Sequence, residues 1–346
     1  MKIINRFPAV IFCIVAGAAA IFAQTSDAPT NSDPEKAKFV TSDIDNFWRA
    51  FDLAAKETDR EKKIAVYQSE YLDKGSAGLK DFIRGRIKSA KNLFETVEQL
   101  PRFYASARAS TLRVAEVKKK MRKSFRKFKK IYPDAVFPDV YFVVGIANTG
   151  GTASKSGLLI GSELYGLTEN TPRDEFPAWF KTFMPDVKDE TELKRIVGTA
   201  LDTALKPVEK IPFVVAHESC HFNQNLGEHQ TLLGKSIQEG GCDFIAELIA
   251  GEPLNPEQKR YGNQHEAELW REFEPQMNST DLSKWMYNGF KSKDRPGDLG
   301  YYMGYKICWS YYSNAKDKRQ AVRDVLNVKD FPAFFEASRY RQKFTK

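Results

Sequence analysis

The segment "VVAHESCHFNQ", residues 214–224, contains two of the four histidines of this 346-residue chain. His217 and His221 are four residues apart, and on a helix that spacing places two side chains one above the other on the same face. They can therefore present two imidazoles to one metal ion. Glu218 is rotated by about 100° from His217 around such a helix, so its carboxylate is placed beside the ion. There it can take a proton from metal-bound water.

The residues before this motif are apolar. Residues 213–216 read "FVVA", which favours a buried helix and suits a metal site from which bulk water is excluded. The pattern HExxH in this setting predicts the catalytic helix of a zinc peptidase. Two packed histidines without a metal are the alternative interpretation.

A catalytic zinc ion needs a third protein ligand and an open fourth position for water. The spacing HExxHxxGxxH would require a histidine six residues past His221, where the chain has Gly227, and His229 lies two residues further on. That class of site is excluded. Glu239, in the segment "EGGCD" of the next predicted helix, is the predicted third ligand. Glu247, two helical turns further along, is the alternative.

Asp243 follows Glu239 by four residues and therefore shares its helix face. A metal-bound histidine usually donates its other ring N–H to a carboxylate, and Asp243 is placed to accept that hydrogen bond from His217 or His221. The glycines at 240–241 are costly inside a helix. We expect them where two helices approach each other closely.

The periodicity of apolar residues divides the chain into two predicted domains. Residues 39–130 show helical spacing and form a predicted N-terminal helical subdomain. In the second domain, 131–346, two apolar runs at 141–147 and 157–166 predict a β-hairpin, and from residue 189 onward the chain returns to helix. The predicted fold class is α+β, mainly helical, with a small sheet.

The segment between the two apolar runs, "NTGGTASKS", is a candidate for contact with a ligand. Gly150 and Gly151 can bring the backbone close to a bound molecule. Asn148 and Thr152 flank them, and the four are predicted substrate-binding residues. A plain turn is the alternative.

Residues 1–23 have the pattern of a secretory signal peptide. Lys2 and Arg6 precede an apolar run without charge, and cleavage is expected near Ala23. An uncleaved membrane anchor is the alternative. The polar residues 24–38 are predicted to form a disordered leader. We therefore expect an exported protein, periplasmic or secreted.

Cysteine content and charge add two further expectations. The cysteines after the predicted cleavage site are Cys220, Cys242 and Cys308. They are too few for a disulfide framework, so we expect buried thiols, with Cys220 and Cys242 as the pair that could form a bridge.

The net charge of +8 comes largely from residues 113–130. Apolar residues in this segment fall at helical spacing, so its cations are expected on the solvated face of an amphipathic helix. Binding to an anionic envelope surface is the alternative role of that face. Export argues against a nucleic-acid partner.

Several longer segments resemble a bacterial family of predicted zinc-dependent proteases, which is related to a lipoprotein family of the gliding-motility apparatus. The likeness covers roughly residues 131–340, and the lipidation cysteine of the motility proteins is absent. The matching segments are "VYFVVGIANTGGTASKSGLLIGSE", "AHESCHFNQ", "EGGCDFIAELIAG", "YGNQHEAELWREF" and "RPGDLGYYMGYKI". HExxH followed by Glu239 and Asp243 on the next helix is also similar to the gluzincin pattern.

The resemblance implies a zincin-like catalytic domain in which an edge strand borders the cleft above the HExxH helix. The predicted hairpin at 141–166 is the candidate for that edge, to which a peptide or protein substrate adds as an extra strand. One zinc ion and Glu218 as general base follow from the same resemblance. It also implies a downstream side chain that stabilises the oxyanion. The candidates are Tyr301 and Tyr305, with Tyr302, His265 and Arg295 as alternatives.

The expected function is an exported zinc-dependent peptidase. The alternative is a zincin-fold protein without hydrolytic activity that acts as a binding or assembly component of the cell envelope. Glu218 favours the peptidase, because a structural zinc site has no use for a free glutamate beside it.

Overall fold

The computed structural model describes residues 31–289, 292 and 294–345. The predicted signal peptide at 1–23 and the first part of the predicted leader, 24–30, lie outside the described residues. None of the helices in the described ranges combines the length and hydropathy that a membrane span requires.

Helices dominate the described chain, which confirms the predicted mainly helical α+β class. The helices before the sheet are α1 (Ser42–Ala54), α2 (Arg60–Val66), α3 (Ala77–Phe82), α4 (Ala90–Gln99), α5 (Pro101–Leu112) and α6 (Val114–Ile131), with π-helical turns at Tyr67–Leu72 and Ile83–Ile87. Those after it are α7 (Phe176–Lys181), α8 (Glu190–Ala204), α9 (Ile211–Asn223), α10 (Leu232–Ala250), α11 (Pro256–Gln264), α12 (Glu266–Phe273), α13 (Leu299–Asn314), α14 (Lys318–Leu326) and α15 (Phe331–Ser338).

A small four-stranded sheet separates these two groups of helices in sequence. Its strands are β1 (Phe39–Val40), β2 (Val140–Val143), β3 (Gly151–Ser154) and β4 (Gly157–Gly161), in the order β1-β2-β4-β3. β2 runs parallel to both β1 and β4, and β3 runs antiparallel to β4 with Thr152 opposite Leu159. A 3-10 turn, Ser162–Tyr165, follows β4 directly.

The predicted β-hairpin was wrong in its pairing. The two apolar runs supply β2 and β4, which are parallel rather than antiparallel. The antiparallel partner of β4 is β3, which comes from the segment that the sequence indicated as a loop. β3 reads "GTAS" and has one β-branched residue and no aromatic residue, so it lacks the composition that identifies a strand. It is one of the two terminal strands of the sheet and therefore forms an edge; β1 forms the other.

Residues 31–38 are ordered, which differs from the predicted disordered leader. The Phe137 N–H donates to the Asn31 carbonyl oxygen at 2.7 Å, and Asn31 Nδ2 donates to the Phe137 carbonyl oxygen at 3.1 Å. Ala37 is buried. This polar segment is held by partners about a hundred residues away, which its own composition does not reveal.

The basic segment at 113–130 forms α6, an amphipathic helix as predicted, with its apolar residues buried. Two of its arginines hold the N-terminal segment. Arg122 donates to the Ala37 carbonyl oxygen at 2.6 Å, and Arg126 forms a two-pronged ion pair with Glu35 at 2.6 and 2.9 Å. Two of the positive charges of this helix therefore stabilise the folded N-terminal segment.

One hydrophobic core crosses the predicted boundary between residues 130 and 131. It includes Phe47 of α1 and Phe125 of α6 on one side, and Val214 of α9 and Ile245 of α10 on the other. The N-terminal helices and the second half of the chain therefore bury their apolar surfaces against each other.

The helices α10 and α13 cross with their backbones in contact. A β-carbon on Gly304 would lie 1.6 Å from the Ser236 carbonyl oxygen, and one on Gly240 would lie 2.2 Å from the Tyr305 backbone nitrogen. Neither position can hold a side chain without moving a helix. The close approach predicted from the glycine pair is thus confirmed at Gly240, and Glu239 lies immediately before this contact.

Candidate metal centre

Two buried side chains and one partly buried side chain, on two helices, form the candidate metal centre. His217 and His221 lie on α9, and Glu239 lies on α10; one ligand atom from each lies within 4.8 Å of the other two. We call these three residues the donor cluster. His217 is 0% and Glu239 1% exposed. The cluster can hold a metal ion, which agrees in part with the prediction of one zinc ion.

The local sequence explains how the two helices present these side chains. α9 has Pro212 in its first turn, where a missing backbone N–H costs no helical hydrogen bond. Thr231 caps the N-terminus of α10, and its hydroxyl accepts from the Gly234 N–H at 3.2 Å. The spacing of four residues then aligns His217 with His221 on α9.

Hydrogen bonds to the outer ring nitrogens fix which nitrogen of each histidine faces the cluster. His217 Nδ1 lies 2.8 Å from Asp243 Oδ1, and His221 Nδ1 lies 2.9 Å from Gln224 Oε1. The amide of Gln224 is oriented by its Nε2, which donates to the Gln238 carbonyl oxygen at 2.8 Å. A carboxylate and an amide oxygen are acceptors, so each Nδ1 carries the proton and each Nε2 keeps its lone pair. Asp243 thus accepts the hydrogen bond of His217, which is one of the two histidines that the sequence offered as its partner.

The inner atoms of the cluster are three acceptors that face one another. The two Nε2 atoms of His217 and His221 are 3.0 Å apart, and Glu239 Oε2 lies 3.1 Å from His221 Nε2 and 3.6 Å from His217 Nε2. Glu239 Oε1 is buried without a hydrogen-bond partner among the described residues. Converging lone pairs and a buried orphan oxygen repel each other unless a cation lies between them. The donor set therefore fits a metal ion.

In the metal-free protein a proton takes the place of that cation. Burial opposes protonation of His217, but hydrogen bonds to Asp243 and Glu239 hold its pKa well above the usual value. Burial alone would raise the pKa of Glu239, but the charge of His221 and the hydrogen bonds from both imidazoles lower it to about 2. Protons on the imidazoles thus compete with the metal, while Glu239 stays ionised.

Asp243→Ala is expected to weaken metal binding by about 10- to 100-fold, because His217 loses the acceptor that fixes its tautomer and orientation. A competition titration with a chromophoric chelator measures this. Glu247→Ala, which removes a carboxylate one turn further along the same helix, is the matched control and should leave the affinity unchanged. Equal affinities for Asp243→Ala and the parent would contradict the assignment.

Glu218 lies beside the donor cluster and against the edge strand. It is 2% exposed, and a β-carbon on Gly151 of β3 would lie 3.1 Å from its Oε1 atom. The same β-carbon would lie 2.9 Å from Val214 Cγ2, so only glycine lets β3 approach α9 this closely. Burial raises the pKa of Glu218, and the charges of His221 and His217 oppose that rise. A carboxylate with a raised pKa is a better proton acceptor near neutral pH.

The structure places the other predicted substrate-binding residues around the same edge. Asn148 Oδ1 is buried without a hydrogen-bond partner in the described ranges. Gly150 lies next to Tyr165, where a β-carbon would be 3.1 Å from the phenol oxygen. Thr152 is buried and accepts a hydrogen bond from Arg86 Nη2 at 3.4 Å.

The two predicted oxyanion donors have different surroundings. Tyr301 is buried, and a β-carbon on Gly240 of α10 would lie 2.4 Å from its carbonyl oxygen. Burial, followed by the negative charge of Glu239, raises the pKa of its phenol. The Tyr305 hydroxyl accepts from Lys259 at 2.9 Å, and Lys259 also pairs with Glu247 at 2.6 Å. Glu247, the alternative third ligand, is thus engaged outside the cluster.

The remaining alternatives lie in other contacts. Tyr302 donates to Asn263 Oδ1 at 3.1 Å. His265 stacks on Tyr261, with its Nδ1 3.2 Å from Glu268 Oε2. Arg295 donates to Glu272 at 2.8 Å.

The three described cysteines are free thiols, and all are buried. Cys242 Sγ lies 3.3 Å from His221 Nδ1, and burial followed by its contact with Cys220 raises the pKa of the Cys242 thiol. The expectation of buried thiols is confirmed.

A second buried carboxyl group, Glu163, lies in the 3-10 turn that follows β4. It is 0% exposed; its Oε1 accepts from the Ala147 N–H at 3.1 Å, and its Oε2 has no partner in the described part of the chain. Burial raises the pKa of Glu163 from 4.5 to about 7. Between these pH values the Glu163 carboxyl is ionised in the unfolded chain but still protonated in the folded chain. The free energy of unfolding therefore falls as pH rises from about 4.5 to about 7.

Glu163→Gln is expected to remove this penalty. The free energy of unfolding of the variant, relative to that of the parent, should increase by about 2 to 3 kcal/mol between about pH 5 and about pH 8. Urea denaturation of both proteins in the presence of a chelator measures the difference, in which the other titrating groups cancel. A difference that is constant with pH would contradict the raised pKa.

Three residues near the site were missed by sequence reasoning. Gln224 is part of the quoted motif. Its position three residues after His221, at the end of α9, is the sequence feature that could have identified it as a partner of that histidine. Tyr165 lies in the 3-10 turn after β4, and the charge of Glu218 acts on it. Arg86 comes from the π-helical turn before α4. Neither of the last two had a signal in the sequence.

No family model, no curated protein and no solved structure matches this chain.

Proposed function

We propose that this protein is a zinc-dependent peptidase with a zincin-like catalytic domain. The observation that carries the proposal is the position of Glu218: a buried carboxylate beside two histidines and Glu239, but outside the donor cluster, and in contact with an edge strand. Two imidazoles and one carboxylate are the ligands of catalytic zinc in several peptidases, and they leave a position open for water. The pattern of residues 1–23 adds export to the proposal.

Different residues of the chain have different roles in the proposed reaction. Zinc held by His217, His221 and Glu239 would polarise the scissile carbonyl and lower the pKa of a water molecule. Glu218 takes the proton of that water and passes it to the leaving amine. Asp243 and Gln224 hold the two imidazoles in the tautomers that keep their Nε2 lone pairs inward. Tyr301 and Tyr165, both near the buried carboxylates, are the candidate donors to the developing oxyanion.

β3 provides the binding surface for an extended peptide. It is a terminal strand, paired with β4 on one side, and among the described residues no further strand pairs with its other side. A peptide that added there would form backbone hydrogen bonds with the edge and would pass over Glu218. Binding of this kind depends little on the side chains of the substrate.

The test is a digest of a peptide library by the purified protein, followed by mass spectrometry. Cleavage should stop when a chelator removes the metal and should return when about one equivalent of zinc is added. A protein that binds zinc stoichiometrically but cleaves no peptide would refute the proposal and favour the non-catalytic binding component.

A further inference from the structure

Arg86 is a cation at the edge of the sheet, beside Thr152 of β3. It belongs to the π-helical turn Ile83–Ile87, which ends at Lys88 with a φ of 72°. Its side chain is half-buried, and its contact is the 3.4 Å hydrogen bond to Thr152 Oγ1 of β3. No carboxylate within the described ranges forms an ion pair with it. Arg84, two residues earlier, is exposed and pairs with Asp81.

The position of Arg86 links it to the candidate catalytic residues. Thr152 follows Gly151, and Gly151 contacts Glu218. A guanidinium group therefore lies beside the strand along which a peptide would bind, close to the proposed general base.

A half-buried guanidinium with one long hydrogen bond has most of its donors free. Its five N–H groups form a planar fork that matches a carboxylate in a two-pronged arrangement. Such charge-assisted pairs are roughly twice as strong as neutral hydrogen bonds. Among the described residues no carboxylate forms an ion pair with Arg86, so the matching group is one that a ligand would bring.

We propose that Arg86 recognises a carboxylate of the peptide that binds along β3. This inference rests on the proposed function, and it adds a substrate class: peptides with a carboxylate near the scissile bond. The carboxylate is either the C-terminus of the substrate or an acidic side chain. In the first case the protein removes residues from the C-terminal end of peptides, and in the second it cleaves next to Asp or Glu.

Binding to the Glu218→Gln protein, loaded with zinc, tests the inference without consuming the peptide. Two matched pairs of peptides are compared by fluorescence anisotropy: one pair differs in a C-terminal carboxylate or amide, and the other in an internal Glu or Gln. We expect the peptide with the carboxylate to bind about 10- to 100-fold more tightly than its neutral partner in one of the two pairs. Introducing Arg86→Gln into the Glu218→Gln protein should abolish that preference, whereas introducing Arg84→Gln should preserve it.

Arg86→Lys is a second variant that keeps the charge but not the planar fork, and it should retain part of the preference. Loss of preference in the first pair identifies the C-terminus as the ligand, and loss in the second identifies a side chain. The inference is overturned if the Glu218→Gln protein binds no peptide, prefers neither carboxylate, or keeps its preference after Arg86→Gln. These outcomes are separate from failure of the proposed function, which is the absence of hydrolysis by the zinc-loaded parent.

Discussion

Glu218→Gln is expected to reduce peptide hydrolysis by about 10²- to 10⁴-fold while the zinc content stays at that of the parent. The amide has nearly the same shape as the carboxylate and fits the same space against Gly151. It cannot accept the proton of the attacking water, so the loss should appear in kcat rather than in KM. The donor cluster does not include Glu218, and metal binding should therefore survive.

Elemental analysis and steady-state kinetics on the same preparations test this expectation. Gln224→Glu is an informative comparison, because it changes a residue that orients His221 without touching the proposed base. If Glu218→Gln binds zinc and hydrolyses peptides as fast as the parent does, the proposed role of Glu218 is wrong. If it loses zinc, Glu218 contributes to the metal site itself.

Gly304→Ala is expected to destabilise the protein by more than about 3 kcal/mol. The added methyl group would lie 1.6 Å from the Ser236 carbonyl oxygen, which is a backbone atom and cannot rotate away. The helices α10 and α13 would have to separate, and the buried residues between them would lose contacts. Because α10 carries Glu239 and Asp243, metal affinity should fall together with stability.

Gly198→Ala is the matched control for that substitution. Gly198 lies within α8, and a β-carbon there would have no neighbour within 4 Å. Alanine should therefore increase stability by about 0.5 to 1 kcal/mol through helix propensity alone. Urea denaturation compares both variants with the parent. A Gly304→Ala protein within about 1 kcal/mol of the parent would show that the two helices can separate at little cost.

The features of the site that the sequence predicted are those that depend on one helix at a time. His217 and His221 share a face of α9, and Glu239 and Asp243 share a face of α10, because four residues are close to one helical turn. Gly240 indicated that α10 meets another helix closely, and the structure identifies that helix as α13. Local geometry was sufficient for each of these predictions.

The features that sequence reasoning missed depend on contacts between distant segments. The parallel pairing of β2 with β4 is decided by packing of the whole sheet, while the sequence shows only two apolar runs. Arg86 reaches β3 from 66 positions earlier in the chain. Residues 31–38 are ordered by Phe137 and by the arginines of α6. A polar stretch has no periodic pattern that could reveal such partners.

The helix crossing at Gly240 also bears on how a metal ion would bind at the candidate centre. Glu239 directly precedes the backbone contact between α10 and α13, so the packing that joins these helices limits the angular freedom of its carboxylate. A chain that has folded this crossing already holds Glu239 Oε2 near the two imidazoles. We therefore expect a metal ion to bind after folding, unlike in zinc fingers, whose folding is driven by the metal.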